Sequence, residues 1–166
     1  IRQKRSAFSK KQNKKNRNSC QIKIYLYIST KTLINLMHMN KEKYIIEYSL
    51  NNVSPSVLWT YVGTVNGLAD WFADTVTADG KEYTFFWNKM PQTAHQIGYR
   101  SGVFIRFRWD EEDVDTKSYF EFRINVIELT GDVILEITDY AYPDEKRDSI
   151  DLWNRQISSL RQRLGA

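Results

Sequence analysis

Two side chains that could carry acid–base chemistry, His95 and Tyr99, stand four residues apart in a stretch of alternating residues. Side chains an even number of positions apart lie on one face of a β-strand, so His95, Ile97 and Tyr99 are predicted to point inward together. An imidazole beside a phenol could anchor a ligand or act as a general acid and base. A histidine with no second catalytic partner is more often a hydrogen-bonded core or edge residue. The pattern therefore favours a non-enzymatic role and assigns no catalytic residue.

A second candidate is the acidic stretch 110–115 (DEEDVD), which could bind calcium. Val114 stands at the fifth position, where a calcium loop needs an oxygen ligand, and Asp115 at the sixth, where glycine makes the turn. A solvated acidic loop is the better interpretation, and no metal site is predicted. The chain has no nucleophile motif, no glycine-rich phosphate loop and no cysteine–histidine metal spacing, so no cofactor is predicted.

Charge is divided unevenly along the chain. Residues 1–38 hold ten of the 24 basic side chains and none of the 20 acidic ones, so residues 39–166 carry a net charge of −6. No nucleic-acid partner is predicted, because that acidic part lacks clustered Lys and Arg. The single cysteine, Cys20, excludes an intrachain disulfide and a cysteine metal site, which fits a reducing cytoplasm. The most apolar stretch, 22–39, is broken by Lys23 and Lys31, so no membrane span is predicted.

The basic segment 1–38 has three interpretations. It could be a signal peptide, but its apolar run ends early and no small-residue cleavage site follows. It could be a basic arm for nucleic acid or membrane. The favoured interpretation is an upstream extension translated by mistake, with the natural start at Met39 or Met37, because the segment lacks acids and is rich in Lys, Asn, Ile and Tyr. We expect it to be disordered and the folded domain to span residues 39–166.

Alternating and periodic apolar residues predict the elements that must position these side chains. Residues 44–50 alternate and predict a first strand. Ser54 and Pro55 then begin a short helix that runs to about Tyr61, and residues 65–71 predict a second one. Six further strands, separated by turn residues such as Asp79-Gly80, are predicted at 73–78, 82–87, 93–100, 103–109, 119–127 and 133–140.

The last predicted element is a long helix. Pro143 opens it, Asp144 and Glu145 lie at the positive end of its dipole, and Gly165 ends it. Its apolar stripe, spaced three or four residues apart, consists of Ile150, Trp153, Ile157, Leu160 and Leu164. Such a stripe must be buried, and the only large apolar surface available is one face of the sheet. The fold class is therefore α+β.

Two short motifs resemble those of a known superfamily. The segment 54–59 (SPSVLW) resembles the opening that follows the first strand in the START-like, helix-grip (SRPBCC) superfamily. The segment 71–74 (WFAD) is similar to the end of the second helix in relatives of the heat-shock ATPase activator. The resemblance covers about residues 43–164 and is strongest to small bacterial START-like proteins. It implies a curved antiparallel sheet of six to seven strands that grips the C-terminal helix, with a cavity between them.

Large side chains predicted to face inward could form the walls of such a cavity. They are Trp71, Phe85, Trp87, Phe107, Phe122, Trp153 and Ile157, with His95 and Tyr99 as a polar pair. A filled core is the alternative, because large aromatic side chains close cavities as readily as they line them. Charged residues on the opposite face of the strands are expected to form cross-strand ion pairs or, alternatively, a cationic patch for a protein. They are Arg106, Arg108, Glu121, Arg123 and Glu136.

Three functional hypotheses follow from this reading. The first is a non-enzymatic binding module that holds a hydrophobic small molecule between the sheet and the C-terminal helix. The second is a protein-interaction module that resembles the ATPase activators and acts through its surface with a filled core. In either case the protein is expected to be a monomer or a homodimer. The third is a cyclase-type enzyme that uses His95 and Tyr99, which requires both side chains to converge in one cavity.

Overall fold

The computed structural model describes residues 40–50, 52–110 and 117–166. Over these ranges the chain forms β1 (Glu42–Leu50), α1 (Pro55–Val62), α2 (Val65–Trp71), β2 (Thr75–Asp79), β3 (Glu82–Trp87), β4 (Met90–Arg100), β5 (Phe104–Trp109), β6 (Phe120–Val126), β7 (Val133–Ala141) and α3 (Lys146–Leu164). The predictions for residues 1–38 and for most of the acidic loop lie outside the described residues.

The strands form one antiparallel sheet in the order β1-β7-β6-β5-β4-β3-β2. Alternate residues of each strand point to one face, which the three helices cover, and most apolar residues are buried there. The seven-stranded sheet and the long C-terminal helix confirm the predicted α+β helix-grip fold.

The two short helices begin as the sequence predicts. Ser54 caps α1, because its hydroxyl accepts a hydrogen bond from the Val57 N–H, and Pro55 occupies the first helical turn. The helices approach so closely that a Cβ on Gly67 would lie 2.0 Å from the Thr60 carbonyl oxygen, so glycine is required there. The end of α2 therefore lies on the sheet, and Trp71 is buried there.

The long helix α3 confirms the predicted stripe but not the predicted start. Trp153, Ile157 and Leu160 are buried against the sheet. The helix begins at Lys146 rather than at Pro143, because a turn precedes it in which the Glu145 N–H donates to the Tyr142 carbonyl. Among the described residues, no helix is long and apolar enough to cross a membrane.

The outer face of the sheet, away from the helices, carries the expected ion pairs. The Glu121 carboxylate lies 2.6 Å from Arg106 Nε and 2.8 Å from an Arg123 guanidinium nitrogen. Arg123 also approaches Glu136 at 4.0 Å. Because the strands place these residues side by side, each charge finds a partner within the sheet. The prediction of cross-strand pairing is confirmed for these residues.

A hairpin that the sequence analysis did not predict joins β3 to β4. Its two-residue turn consists of Asn88 and Lys89, both in the left-handed region with φ of 51° and 66°. Trp87 therefore pairs directly with Met90, and β4 begins three residues earlier than predicted. The Asn88 N–H donates to the Asp74 carboxylate at 2.7 Å, which fixes the turn against the chain that leaves α2.

Candidate functional site

A pocket lies between the sheet and the first half of α3. Its volume is about 330 Å³, near the lower end of the range of about 300–1,000 Å³ that is typical of small-molecule sites. Most of the lining residues are aromatic or polar. They are Phe72, Trp87, Trp109 and Trp153, then Gln92, Ser149 and Gln156, and finally the aliphatic Leu152 and the acidic Asp139. Half-exposed Leu152 stands at its mouth.

The aromatic walls hold one another in place. The Phe72 ring stacks on Trp153 with a centroid distance of 5.7 Å and meets Trp87 edge-on at 5.5 Å. The Trp87 indole N–H donates to the Phe72 carbonyl at 2.9 Å. Trp109 completes this wall, 6.0 Å from Trp87. Rings fixed by packing and hydrogen bonds leave a pocket that is formed before any ligand arrives.

Asp139 supplies the polar side of the pocket. It continues the inward positions of β7 after three buried apolar residues, and it pairs across the sheet with Tyr44 of β1. Its Oδ2 atom accepts hydrogen bonds from the Trp153 indole N–H at 2.9 Å and from the Tyr44 hydroxyl at 3.2 Å. Its Oδ1 atom accepts one from the Tyr140 backbone N–H at 2.8 Å. The Tyr44 hydroxyl also lies 2.5 Å from Ser149 Oγ, which ties this cluster to α3.

Burial raises the pKa of Asp139, because it removes water that would stabilise the carboxylate. The hydrogen bonds from Trp153, Tyr140 and Tyr44 oppose this shift in the pKa, and the positive charge of Lys41 opposes it least. Burial and the nearby Asp139 charge also raise the pKa of Tyr44, so its hydroxyl stays protonated. A shifted acid in an apolar pocket is typical of functional sites.

The structure separates the seven predicted wall residues into two groups. Trp87 and Trp153 line the pocket. Trp71, Phe85, Phe107, Phe122 and Ile157 are buried in the core, where they pack on other side chains. The Phe122 ring, for example, meets Trp71, Phe72 and Trp153 at centroid distances between 5.6 and 5.7 Å. Much of the predicted cavity is therefore filled, and the open space lies nearer the start of α3.

His95 and Tyr99 lie on opposite faces of the sheet, which corrects the prediction that both point inward. The pairing of β4 with β5 shifts between Gln96 and Gly98, as in a β-bulge. A bulge inserts one residue and reverses the alternation beyond it. His95 therefore lies opposite Arg108 on the outer face, whereas Tyr99 lies opposite the buried Ile105. The hypothesis of a cyclase that uses both side chains in one cavity is wrong.

Comparisons with known proteins address the family. The family model described as "START-like superfamily domain" matches residues 38–166, which is more than half of the chain. The chain belongs to the START-like superfamily. Comparison with curated proteins gave no match.

Solved structures of similar START-like chains are known from several bacteria. The protein BfR322 from Bacteroides fragilis is 44% identical, with 75% of this chain and 91% of that chain covered and a TM-score of 0.56. The Aha1 dimer from Colwellia psychrerythraea is 13% identical, with 74% and 96% covered and a TM-score of 0.62. CalU16 from Micromonospora echinospora is 15% identical, with 72% of each chain covered and a TM-score of 0.56. At these lower identities the likeness shows the fold alone.

Sequence reasoning missed the residue that gives this START-like domain its polar pocket wall. In the strand that begins at Val133, the inward positions read Val, Leu, Ile and then Asp139. A carboxylate where the alternation requires an apolar residue is a readable signal. Phe72 and Trp109 were also missed, although Phe72 belongs to the WFAD motif and Trp109 ends a predicted strand. In the described part of the chain, no three His, Cys, Asp or Glu residues are grouped to hold a metal ion.

Proposed function

We propose that this START-like domain binds a hydrophobic small molecule, without catalysis, in the pocket between the sheet and α3. The observation that carries the proposal is a pocket of about 330 Å³ with four aromatic rings and one acidic residue. Apolar walls supply affinity through burial, and a few polar groups fix the orientation of the ligand. The pocket thus has the two properties that a binding site needs.

A non-enzymatic role is supported by the chemistry of the lining residues. Asp139 is the one ionisable group among the described residues that line the pocket. General acid–base or nucleophilic catalysis needs a second group within hydrogen-bond reach that can exchange the proton. Two side chains donate hydrogen bonds to Asp139, through the Tyr44 hydroxyl and the Trp153 indole N–H. Both groups hold their protons at neutral pH.

The tryptophan side chains provide a direct test. In an NMR titration of ¹⁵N-labelled protein with 2-naphthalenemethanol, the indole N–H signals of Trp87, Trp109 and Trp153 should shift and saturate. The signal of Trp59 should stay constant, because Trp59 packs on Tyr99 and does not line the pocket. No shift, or equal shifts at all indoles, would contradict the proposal.

A pair of matched variants tests whether the pocket itself is the site. Leu152→Trp places a large ring at the mouth of the pocket and should weaken probe binding. Leu129→Trp makes the same change at a side chain that is 93% exposed and does not line the pocket, so binding should be unchanged. Equal affinities in the two variants would place the binding elsewhere.

A second candidate, a protein-interaction module, is favoured by the packed interior. Phe85, Phe107 and Phe122 are fully buried, so much of the sheet's inner face is closed to any ligand. The similar protein from Colwellia psychrerythraea is described as a dimer. If this candidate applies, size-exclusion chromatography with light scattering should give twice the 19.7 kDa mass of the chain, or affinity purification should recover a stable partner. A chain that stays monomeric and partner-free while it binds the probe would favour the first candidate.

A further inference from the structure

The pocket combines aromatic rings with a carboxylate, and this combination points to a particular class of ligand. Phe72, Trp87, Trp109 and Trp153 line the same space as Asp139. The face of an aromatic ring carries a negative quadrupole that attracts cations, most strongly for tryptophan. A carboxylate attracts the same ligands through its full charge. Both features repel an anionic head group and favour a positive one.

The hydrogen bonds of Asp139 leave its charge largely uncompensated. Within the described part of the chain its donors are neutral, namely the Trp153 indole, the Tyr44 hydroxyl and the Tyr140 backbone N–H. Lys41 is the cation that acts on the pKa of Asp139, and its effect is smaller than that of any of these hydrogen bonds. A buried charge is costly unless an opposite charge accompanies it. A cation in the pocket would lower that cost.

The hydrogen bonds also hold the site in a fixed geometry. The Trp153 indole N–H reaches Asp139 at 2.9 Å while its ring stacks on Phe72 at 5.7 Å. The carboxylate and two of the aromatic walls therefore form one rigid unit. A ligand that touches the rings lies beside the carboxylate as well.

We propose that the pocket binds an organic cation, an ammonium group with apolar substituents, between the tryptophan rings and Asp139. This inference rests on the proposed function, because it names the class of ligand for the same pocket. The apolar substituents would bury against the rings, which a hydrated inorganic cation cannot do. The positive nitrogen would face both the ring surfaces and the carboxylate.

Two probes of equal shape test the role of charge. Benzyltrimethylammonium carries the positive nitrogen, and neopentylbenzene carries a neutral carbon in its place. NMR titration of the indole signals of the wild-type protein should give about tenfold or more tighter binding of the cation. Equal affinities would overturn this inference and leave the proposed function standing. If neither probe nor 2-naphthalenemethanol binds, the proposed function itself fails.

The variant Asp139→Asn tests the carboxylate. The amide oxygen can still accept the hydrogen bonds from Trp153 and Tyr44, and the variant loses the one from the Tyr140 backbone N–H, which binds the other carboxylate oxygen. The two affinities should then come within about threefold of each other, because the charge is gone. Asp79→Asn, an exposed change of the same charge in the β2–β3 hairpin, should keep the full preference. If Asp139→Asn keeps the full preference for the cationic probe, Asp139 is not the group that binds the cation. If that variant is unstable, the comparison of the two probes on the wild-type protein still tests the proposal.

Discussion

Two carboxylates lie on opposite faces of the same sheet and are bound by different kinds of group. Glu121 on the outer face is 3% exposed, and two guanidinium groups bind it at 2.6 and 2.8 Å. Asp139 on the inner face accepts hydrogen bonds from three neutral donors of residues 40–50, 52–110 and 117–166, the part that the structure describes. Among the described residues, the side chains that bind the first carboxylate are cationic and the groups that donate to the second are neutral.

The contrast shows two ways in which one sheet holds a carboxylate away from water. A buried carboxylate needs both hydrogen bonds and an opposite charge. Glu121 receives both, from Arg106 on β5 and from Arg123 on its own strand β6. Among the described residues, Asp139 receives hydrogen bonds from neutral donors and a weaker effect from the charge of Lys41, and it lines an open pocket. Breaking each arrangement should therefore have different consequences.

The largest effect is expected at the packed part of the inner face. Phe122→Ala removes a fully buried ring that contacts Trp71, Phe72 and Trp153. The variant should lose about 3–5 kcal/mol of the free energy of unfolding, because it leaves a cavity. Urea denaturation followed by tryptophan fluorescence measures the loss. Ile45→Ala, at a side chain that is 52% exposed on β1, should change stability by less than about 0.5 kcal/mol.

The next effect is expected at the outer carboxylate. Glu121→Ala leaves Arg106 and Arg123 close together without their shared partner. We expect a loss of about 2–3 kcal/mol, below the usual cost of breaking a buried pair because both arginines reach water. Probe binding in the pocket should be unchanged, since Glu121 lies on the other face. Glu82→Ala, at an exposed position of β3, is the control, and an equal loss there would contradict the special role of Glu121.

How much of this contrast can be predicted from sequence depends on the regularity of each strand. The alternation in β6 places Phe120, Phe122 and Ile124 inward and Glu121 and Arg123 outward, and the structure agrees. In β4 the same reasoning failed for His95. The pairing of β4 with β5 shifts between Gln96 and Gly98, and an isolated glycine inside a strand is a signal of a bulge that the sequence analysis did not use.

The aromatic character of the pocket could be predicted from the sequence, but its position near the start of α3 could not. The alternation and the helix stripe identify which side chains face inward, yet they do not decide which of them touch. Phe72 enters the centre of the core and fills space that the sequence analysis assigned to a cavity, since its ring meets Phe85, Phe120 and Phe122. Such closure depends on side-chain volumes and helix placement, which follow from tertiary packing.

A smaller effect, seen as a pH dependence, is expected at the inner carboxylate. Because burial raises the pKa of Asp139, the folded protein holds this proton at pH values where the unfolded chain has released it. Its contribution therefore lowers stability as the pH rises from the ordinary value of 3.8 to the raised pKa of the folded state. The neighbouring Tyr44 hydroxyl keeps its proton throughout this window, because its own pKa is raised.

Removing the ionisable group should remove that slope. Urea denaturation between pH 3.5 and 7 should show that the stability of Asp139→Asn relative to wild type increases with pH. Asp79→Asn, at an exposed carboxylate, should follow the wild-type profile in this respect. Parallel profiles for wild type and Asp139→Asn would show that the charge of Asp139 is already compensated, and the contrast with Glu121 would disappear.

The smallest effect is expected at the turn that presents Trp87 to the pocket. Lys89 has φ of 66°, a conformation that glycine adopts without the steric cost of a side chain. Lys89→Gly creates an Asn-Gly turn, the preferred sequence for this two-residue hairpin, and should stabilise the protein by about 0.5 kcal/mol. Lys81 lies in the other two-residue turn, after Gly80, and has no positive φ. Lys81→Gly should therefore destabilise by a similar amount through added freedom of the unfolded chain. Thermal unfolding of both variants measures the two changes in stability, which should be opposite in sign. Changes of the same sign would show that the positive φ of Lys89 does not destabilise the turn.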